Sequence, residues 1–126
     1  TALTILAEIG DLRRFGRARQ LTAYAGVSPR VVQSGTSVRG KTRMCNRGNK
    51  RVRQALYLSA MATLNTKKPN TLSEMHHRLC NDGKQGKEAL GAVMRKQLTV
   101  MRAILISEIP YDPTFKGRGK LCRKTA

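Results

Sequence analysis

Apolar residues recur at helical spacing along much of the chain, and the clearest stripe runs over 87–107. There, leucine, valine and methionine follow the i, i+3, i+4 spacing of one buried helical face, which only Gln97 interrupts. A second stripe over about 49–65 follows Asn49, a residue type that caps helix N-termini well. Both segments are predicted to be long core helices.

Three shorter helices are predicted from residues that begin or end helices. The signals are Gly10 as the stop of a helix over 1–9, Gly26 as the cap of one over about 16–25, and a Thr71–Glu74 capping box, with Thr71 as N-cap, for one that ends near Asp82. The segment 27–48 is different, because glycine and proline punctuate a polar, basic stretch. We therefore expect a mainly α domain of about five helices, with a long basic loop or β-hairpin arm between helices 2 and 3.

Composition adds a strong charge signal. Twenty-five Lys and Arg face seven Asp and Glu, which gives a net charge of +18. Such a domain repels itself unless a polyanion binds it, so nucleic acid is the expected partner. No apolar run is long enough to span a bilayer, and no membrane partner is expected. Three scattered cysteines and no signal peptide predict a cytoplasmic, nucleoid-associated protein.

The distribution of charge along the chain indicates where the nucleic-acid-binding surface is expected. No Asp or Glu lies between Asp11 and Glu74, whereas fourteen Lys and Arg do. A continuous phosphate-binding face explains this better than a generally basic surface, although both remain open. The predicted nucleic-acid-binding residues are Arg30, Arg39, Lys41, Arg43, Arg47, Asn49, Lys50, Arg51 and Arg53.

Lys50 and Arg51 fall in the first turn of a predicted helix, where cations oppose the helix dipole. A bound phosphate would remove this conflict, with backbone N–H groups of Gly48 and Asn49 facing it and Arg47, Lys50 or Arg51 closing over it. The alternative is a mildly frustrated surface helix.

Candidate chemistry in the chain is sparse. The seven acids are too scattered to predict a metal cluster, and His76 and Cys80, four residues apart, supply only two ligands. No metal site or cofactor is expected in this chain. Ser34, before Gly35, is the one candidate nucleophile, and its spacing alone is weak evidence.

Several motifs together resemble the C-terminal transposase domain of the insertion-sequence one-ten/one-sixteen family, whose members are bridge-RNA-guided serine recombinases. The motifs are Ala25-Gly26-Val27-Ser28-Pro29, Ser34-Gly35, Gly48-Asn49-Lys50-Arg51-Val52-Arg53, and a late Ala89, Arg95-Lys96 and Leu98. The resemblance covers about 1–110, and its specificity lies in the combination. Val52 replaces a frequent leucine, which is a conservative change.

The resemblance implies that Ser34 is the nucleophile of a covalent phosphoserine link to DNA. It also implies an N-terminal RuvC-like domain with four metal-binding acids, which binds Mg²⁺, and a composite active site in a homo-oligomer with a guide RNA. This chain, which begins at Thr1 inside an apolar periodic segment, is expected to be a fragment without that domain and inactive alone.

The sequence thus predicts a DNA-binding and strand-transfer domain of an insertion-sequence transposase over 1–112, followed by a basic, disordered tail over 113–126. The alternative is a non-catalytic basic nucleic-acid-binding module similar to a small ribosomal protein. Composition does not separate the two, whereas the Ser-Gly motif among the family motifs favours the first.

Overall fold

The computed structural model describes residues 1–30, 33–35, 38–39, 43–45 and 47–114. It confirms a mainly helical fold in which a strand-paired arm separates the second and third helices. The elements are α1 (Ala2–Ile9), a 3₁₀ turn (Leu12–Arg14), α2 (Ala18–Ala25), β1 (Pro29–Arg30), β2 (Gln33–Ser34), β3 (Val38–Arg39), β4 (Arg43–Met44), α3 (Lys50–Asn65), α4 (Thr71–Asn81) and α5 (Gly86–Ser107).

The core is aliphatic and centres on α3 and α5, the two helices with the strongest apolar stripes. α1 packs on α3, α2 packs on both, and α4 packs on α5. The buried residues of the two central helices include Val52, Leu56, Ala60, Leu90, Val93 and Leu98. The predicted stripes therefore do face the core.

Gln97, the polar member of the α5 stripe, joins the two central helices. It is 6% exposed, and its Nε2 donates to Ser59 Oγ at 3.2 Å and to Thr63 Oγ1 at 3.0 Å. A buried amide is costly unless it is hydrogen-bonded. The α3 hydroxyls accept from its N–H₂ group, whereas its Oε1 has no donor among the described residues. The break in the apolar pattern is thus an inter-helix hydrogen bond.

Two predicted helix starts need correction. α2 begins at Ala18 rather than about 16, because the Phe15 and Gly16 carbonyls accept from the Arg102 guanidinium at 2.8–3.0 Å. α4 is capped by Asn70, whose Oδ1 accepts from Leu72 N at 3.0 Å.

Thr71, which we predicted to be the cap of α4, binds the chain after α5 instead. Its backbone N and Oγ1 donate to the Pro113 carbonyl at 3.1 and 2.8 Å. The division of the chain at 112 stays a prediction, and residues 115–126 of the predicted tail lie outside the described part. None of the helices in the described part combines the length and hydropathy needed to cross a bilayer.

Candidate nucleic-acid interface

The base of the arm is an antiparallel strand pair that sets two arginines against each other. β1 pairs with β4, with Pro29 opposite Met44 and Arg30 opposite Arg43. Both arginines are exposed, and directly opposed residues of an antiparallel pair lie on one face within about 5.5 Å at Cβ. Like charges in this position destabilise the pair unless an anion lies between or beside them. The pairing therefore points to an anion-binding face.

The distal part of the arm places Ser34 next to a turn. β2 pairs with β3, with Gln33 opposite Arg39 and Ser34 opposite Val38. Gly35 follows with φ of 65°, a left-handed conformation that glycine adopts without the penalty of a Cβ. Ser34 is thus the last paired residue of the outgoing strand. The neighbouring Lys41, Thr36 and Ser37 lie outside the described residues.

A cationic groove of about 490 Å³ separates the arm base from α5. Four cations line it, namely Arg43 from β4, Lys84 before α5, and Lys87 and Arg95 on α5, with Glu88 as the one acidic lining residue. None of the four cations forms an ion pair with a residue in the described part of the chain. The groove therefore offers uncompensated positive charge to a ligand.

The α5 residues that line this groove were not predicted as binding residues; they are Lys87, Glu88, Gly91, Ala92 and Arg95. Lys87, Gly91 and Arg95 follow at intervals of four, so they share one face of α5. The arm contacts that face at Gly91, where an added Cβ would lie 3.6 Å from Met44 Sδ, an ordinary van der Waals distance. The available signal was the spacing of Lys87 and Arg95, eight residues or about two helical turns apart, on the flank of the apolar stripe.

Gly26 and Gly48, which belong to two of the family motifs, meet where the arm leaves and rejoins the helices. Gly26 caps α2 with φ of 72°, and a Cβ on Gly48 would lie 2.5 Å from Gly26 N and 2.7 Å from the Tyr24 carbonyl. Asn49 N donates to that same carbonyl at 3.2 Å. The prediction that the Asn49 N–H faces a phosphate is therefore wrong. The close approach of α2 and α3 explains why both motifs need glycine.

Glu8 of α1 supplies the anion that we had expected a phosphate to provide at the start of α3. Its carboxylate accepts from Asn49 Nδ2 at 2.7 Å and from Arg51 Nη1 at 3.1 Å. Asn49 Oδ1 meanwhile accepts from Arg51 N and Val52 N, which confirms its role as N-cap. Glu8 lies in the last turn of α1 and Arg51 in the first turn of α3, so each charge opposes its own helix dipole. Paired, they compensate one another.

This contact shifts the ionisation of Glu8. The hydrogen bond from Asn49, followed by that from Arg51, lowers the pKa of Glu8 below its ordinary value of 4.5. The Glu8 side chain is 24% exposed and that of Arg51 is 78% exposed. Glu8 therefore stays ionised at neutral pH, while the outer face of Arg51 remains in water.

The other predicted cations at the start of α3 differ in exposure. Arg47 and Lys50 are exposed, whereas Arg53 is half-buried. The Nη1 of Arg53 lies beside Gly26 and finds no acceptor among the residues that the structure describes. A nearby anion would stabilise this desolvated guanidinium.

His76 and Cys80 do lie together on α4, with the Cys80 Sγ 3.9 Å from both ring nitrogens of His76. In the described part of the chain, no group of three His, Cys, Asp or Glu side chains could hold a metal ion. These residues do not fit the Mg²⁺ that the family resemblance implies.

Comparison with known proteins identifies the family and relatives that the chain resembles. Residues 1–77 match the family model described as transposase IS116/IS110/IS902 family. The chain is similar to a pilin gene-inverting protein from Moraxella bovis, at 33% identity over 108 residues, covering 86% of this chain and 33% of that protein. It is also similar to an uncharacterized 43.6 kDa protein of insertion element IS110 from Streptomyces coelicolor, at 32% identity, covering 89% and 27%. The chain thus spans a third or less of these relatives.

Proposed function

Because the chain belongs to the transposase IS116/IS110/IS902 family, we propose that it is the DNA-binding and strand-transfer domain of a transposase, with Ser34 as nucleophile. The observation that carries the proposal is the arm itself. Its base holds opposed Arg30 and Arg43 beside a cationic groove, and Ser34 lies farther along the same hairpin. DNA phosphates bound at the base would lie on the same arm as the serine, toward the helices.

The chemistry proposed for Ser34 has two steps. The serine oxygen attacks a DNA phosphorus, a phosphoserine bond forms, and the bond from phosphorus to one deoxyribose oxygen breaks. In the second step a hydroxyl of another strand attacks the phosphoserine, and the serine oxygen leaves. Both steps build negative charge on the phosphate oxygens, which cations near the arm would stabilise.

The proton of the serine hydroxyl needs an acceptor during the first step. The nearest titratable groups along the chain are the cations Arg30, Arg39, Lys41 and Arg43. A base from another domain therefore completes the site in our proposal. Mg²⁺ would be held by the acids of that domain and would supply Lewis-acid stabilisation of the phosphate. We propose a RuvC-like domain in a homo-oligomer, with a guide RNA, as that context.

The test is recovery of a covalent protein–DNA adduct after denaturation. In a full-length protein that carries this chain, Ser34→Ala should abolish the adduct and leave DNA binding nearly intact, whereas the matched Ser37→Ala should retain it. The 126-residue chain alone should bind DNA without forming an adduct. An adduct that survives Ser34→Ala would disprove the assignment, and the absence of any adduct from the full-length protein would favour the non-catalytic alternative.

A further inference from the structure

Met44 of the arm lines two cavities of different chemistry. On one side is the cationic groove against α5, and on the other is a pocket of about 550 Å³ against α3. The second pocket is lined by apolar side chains, chiefly Tyr57 and Leu58 of α3 and Met94 of α5. Its volume lies within the range of roughly 300–1,000 Å³ that is typical of pockets for small molecular groups.

Tyr57 presents an aromatic ring to solvent beside cations. The ring belongs to a residue that is 49% exposed, in a chain with only five Tyr and Phe. Tyr24 and Tyr111 donate their hydroxyls to neighbouring groups, whereas the Tyr57 hydroxyl has no partner among the described residues. Lys50 and Arg53 also line this pocket. The Tyr57 ring is therefore accessible to a ligand in a pocket that also contains two cations.

These two cavities match the two parts of a nucleotide. A phosphate needs cations, which the groove supplies through Arg43, Lys84 and Lys87. A base needs a flat apolar partner, which Tyr57 supplies. Because Met44 borders both cavities, one strand that crosses Met44 can place its backbone on one side and a base on the other.

We propose that the base of the arm holds an unpaired nucleotide of a DNA strand, with its phosphates in the cationic groove and its base stacked on Tyr57. A base inside a duplex is already stacked on both faces, so only an unpaired base can use the ring. This inference rests on the proposed DNA-binding function. A basic lining without an acidic residue around Tyr57 favours a polyanionic strand over an apolar peptide.

The experiment measures fluorescence anisotropy of the 126-residue chain with a labelled single-stranded DNA and with the same sequence as a blunt duplex. Tyr57→Ala should lower affinity for the single strand about fivefold or more, because stacking of one base contributes about that much. Affinity for the duplex should change less than twofold. Tyr57→Phe should bind both probes as the unaltered chain does, because it keeps the ring.

Tyr111→Ala is the matched control, since Tyr111 is 48% exposed and lies after α5, outside the linings of both cavities. It should bind both probes normally. An equal loss in Tyr111→Ala, an equal loss for duplex and single strand, or no loss in Tyr57→Ala would overturn the inference. If the stacking inference fails in one of these ways but the unaltered chain still binds duplex DNA, the proposed function still stands. If the unaltered chain binds no DNA at all, the proposed function itself is contradicted.

Two further outcomes identify a different occupant. Tyr57-dependent binding that is stronger for an RNA of the same sequence would replace DNA with RNA in this site. Sedimentation of the unaltered chain as a dimer, with Tyr57→Ala sedimenting as a monomer, would assign the pocket to a second copy. Either result overturns the proposal, and a monomer that binds single-stranded DNA through Tyr57 supports it.

Discussion

Two groups of cations flank the arm, and they differ in whether the chain itself provides an anion. At the start of α3, Arg51 pairs with Glu8 of α1. At the base of the arm, Arg30 and Arg43 oppose each other, and the adjoining groove adds Lys84 and Lys87 without an ion pair in the described part of the chain. The basic residues therefore include some that the fold pairs with an anion and others without an ion pair in the described part, and only the three-dimensional partners distinguish them.

The largest expected effect is a loss of DNA affinity when the groove lysines Lys84 and Lys87 are neutralised. We expect Lys84→Gln with Lys87→Gln to lower duplex DNA affinity roughly tenfold or more at 0.1 M salt, and to reduce the steepness of the log–log salt dependence by about 1.8, because two phosphate contacts are lost. Anisotropy titrations at several salt concentrations measure both quantities. The matched control is Lys67→Gln with Lys68→Gln, which removes the same charge from exposed lysines after α3. Equal losses of DNA affinity in the two double variants would show that the groove lysines act only through the net charge of the chain.

The stability of the fold should be sensitive to an added side chain at the Gly26–Gly48 contact, which lies between the two groups of cations. Gly48→Ala places a Cβ within 2.7 Å of backbone atoms of Gly26 and Tyr24, so α2 and α3 must move apart. We expect a loss of about 1–3 kcal/mol in the free energy of unfolding, measured by urea denaturation. Gly86→Ala is the control, because its Cβ would meet nothing within 4 Å. Equal stability of the two variants would contradict the close packing of this junction.

Two single substitutions at the start of α3, Arg51→Gln and Lys50→Gln, compare a cation that is paired within the fold with one that is not. Arg51→Gln loses the Glu8 contact and should unfold at a slightly lower temperature, by no more than exposed ion pairs typically contribute. Lys50→Gln removes a cation that opposes the helix dipole and has no described ion pair, so it should melt at the same or a slightly higher temperature. Both should weaken DNA binding. Melting curves in the opposite order would show that Glu8 does not compensate Arg51.

The smallest effect is a pH dependence from Glu8. Its pKa is lower in the folded chain than the ordinary 4.5, since Asn49 and Arg51 donate to the carboxylate. The contribution to stability is therefore fully present above about pH 4.5 and is lost as the pH falls through the folded value. The difference in unfolding free energy between the unaltered chain and Glu8→Gln should shrink as the pH falls below 4.5. A constant difference down to pH 3 would show that the contact does not depend on charge.

Local signals predicted much of the helical framework. The stripe around Gln97 identified α5, Asn49 identified the start of α3, and the glycine at position 26 identified the end of α2. Each of these signals acts within a few residues, where helix geometry determines the neighbours. The N-cap of α4 was predicted one residue too late, because Asn70 and Thr71 are both good N-cap residues. The contact that engages Thr71 comes from the Pro113 carbonyl, 42 residues away, and no local signal indicates it.

The partners of the basic residues were harder to predict. The Glu8 contact with Arg51 joins residues 43 apart, and no periodicity relates them. The groove likewise depends on which face of α5 the arm covers, and no signal within a few residues of α5 determines that face. The charge distribution predicts a phosphate-binding face and the family motifs predict that Ser34 is the nucleophile, and both stay predictions. Neither reveals which arginine is already compensated within the fold.

The contact between Gly26 and Gly48 has a consequence for how this domain tolerates change in length. The chain leaves the helices and returns to them at one point, so the two ends of the segment between α2 and α3 are held together by backbone packing. Lengthening such a loop costs little, about 0.6 kcal/mol for each doubling of its length. The reach of the arm is therefore thermodynamically almost independent of the helical body, and an insertion beyond the β1–β4 pair would move the serine relative to the body without repacking a single core side chain.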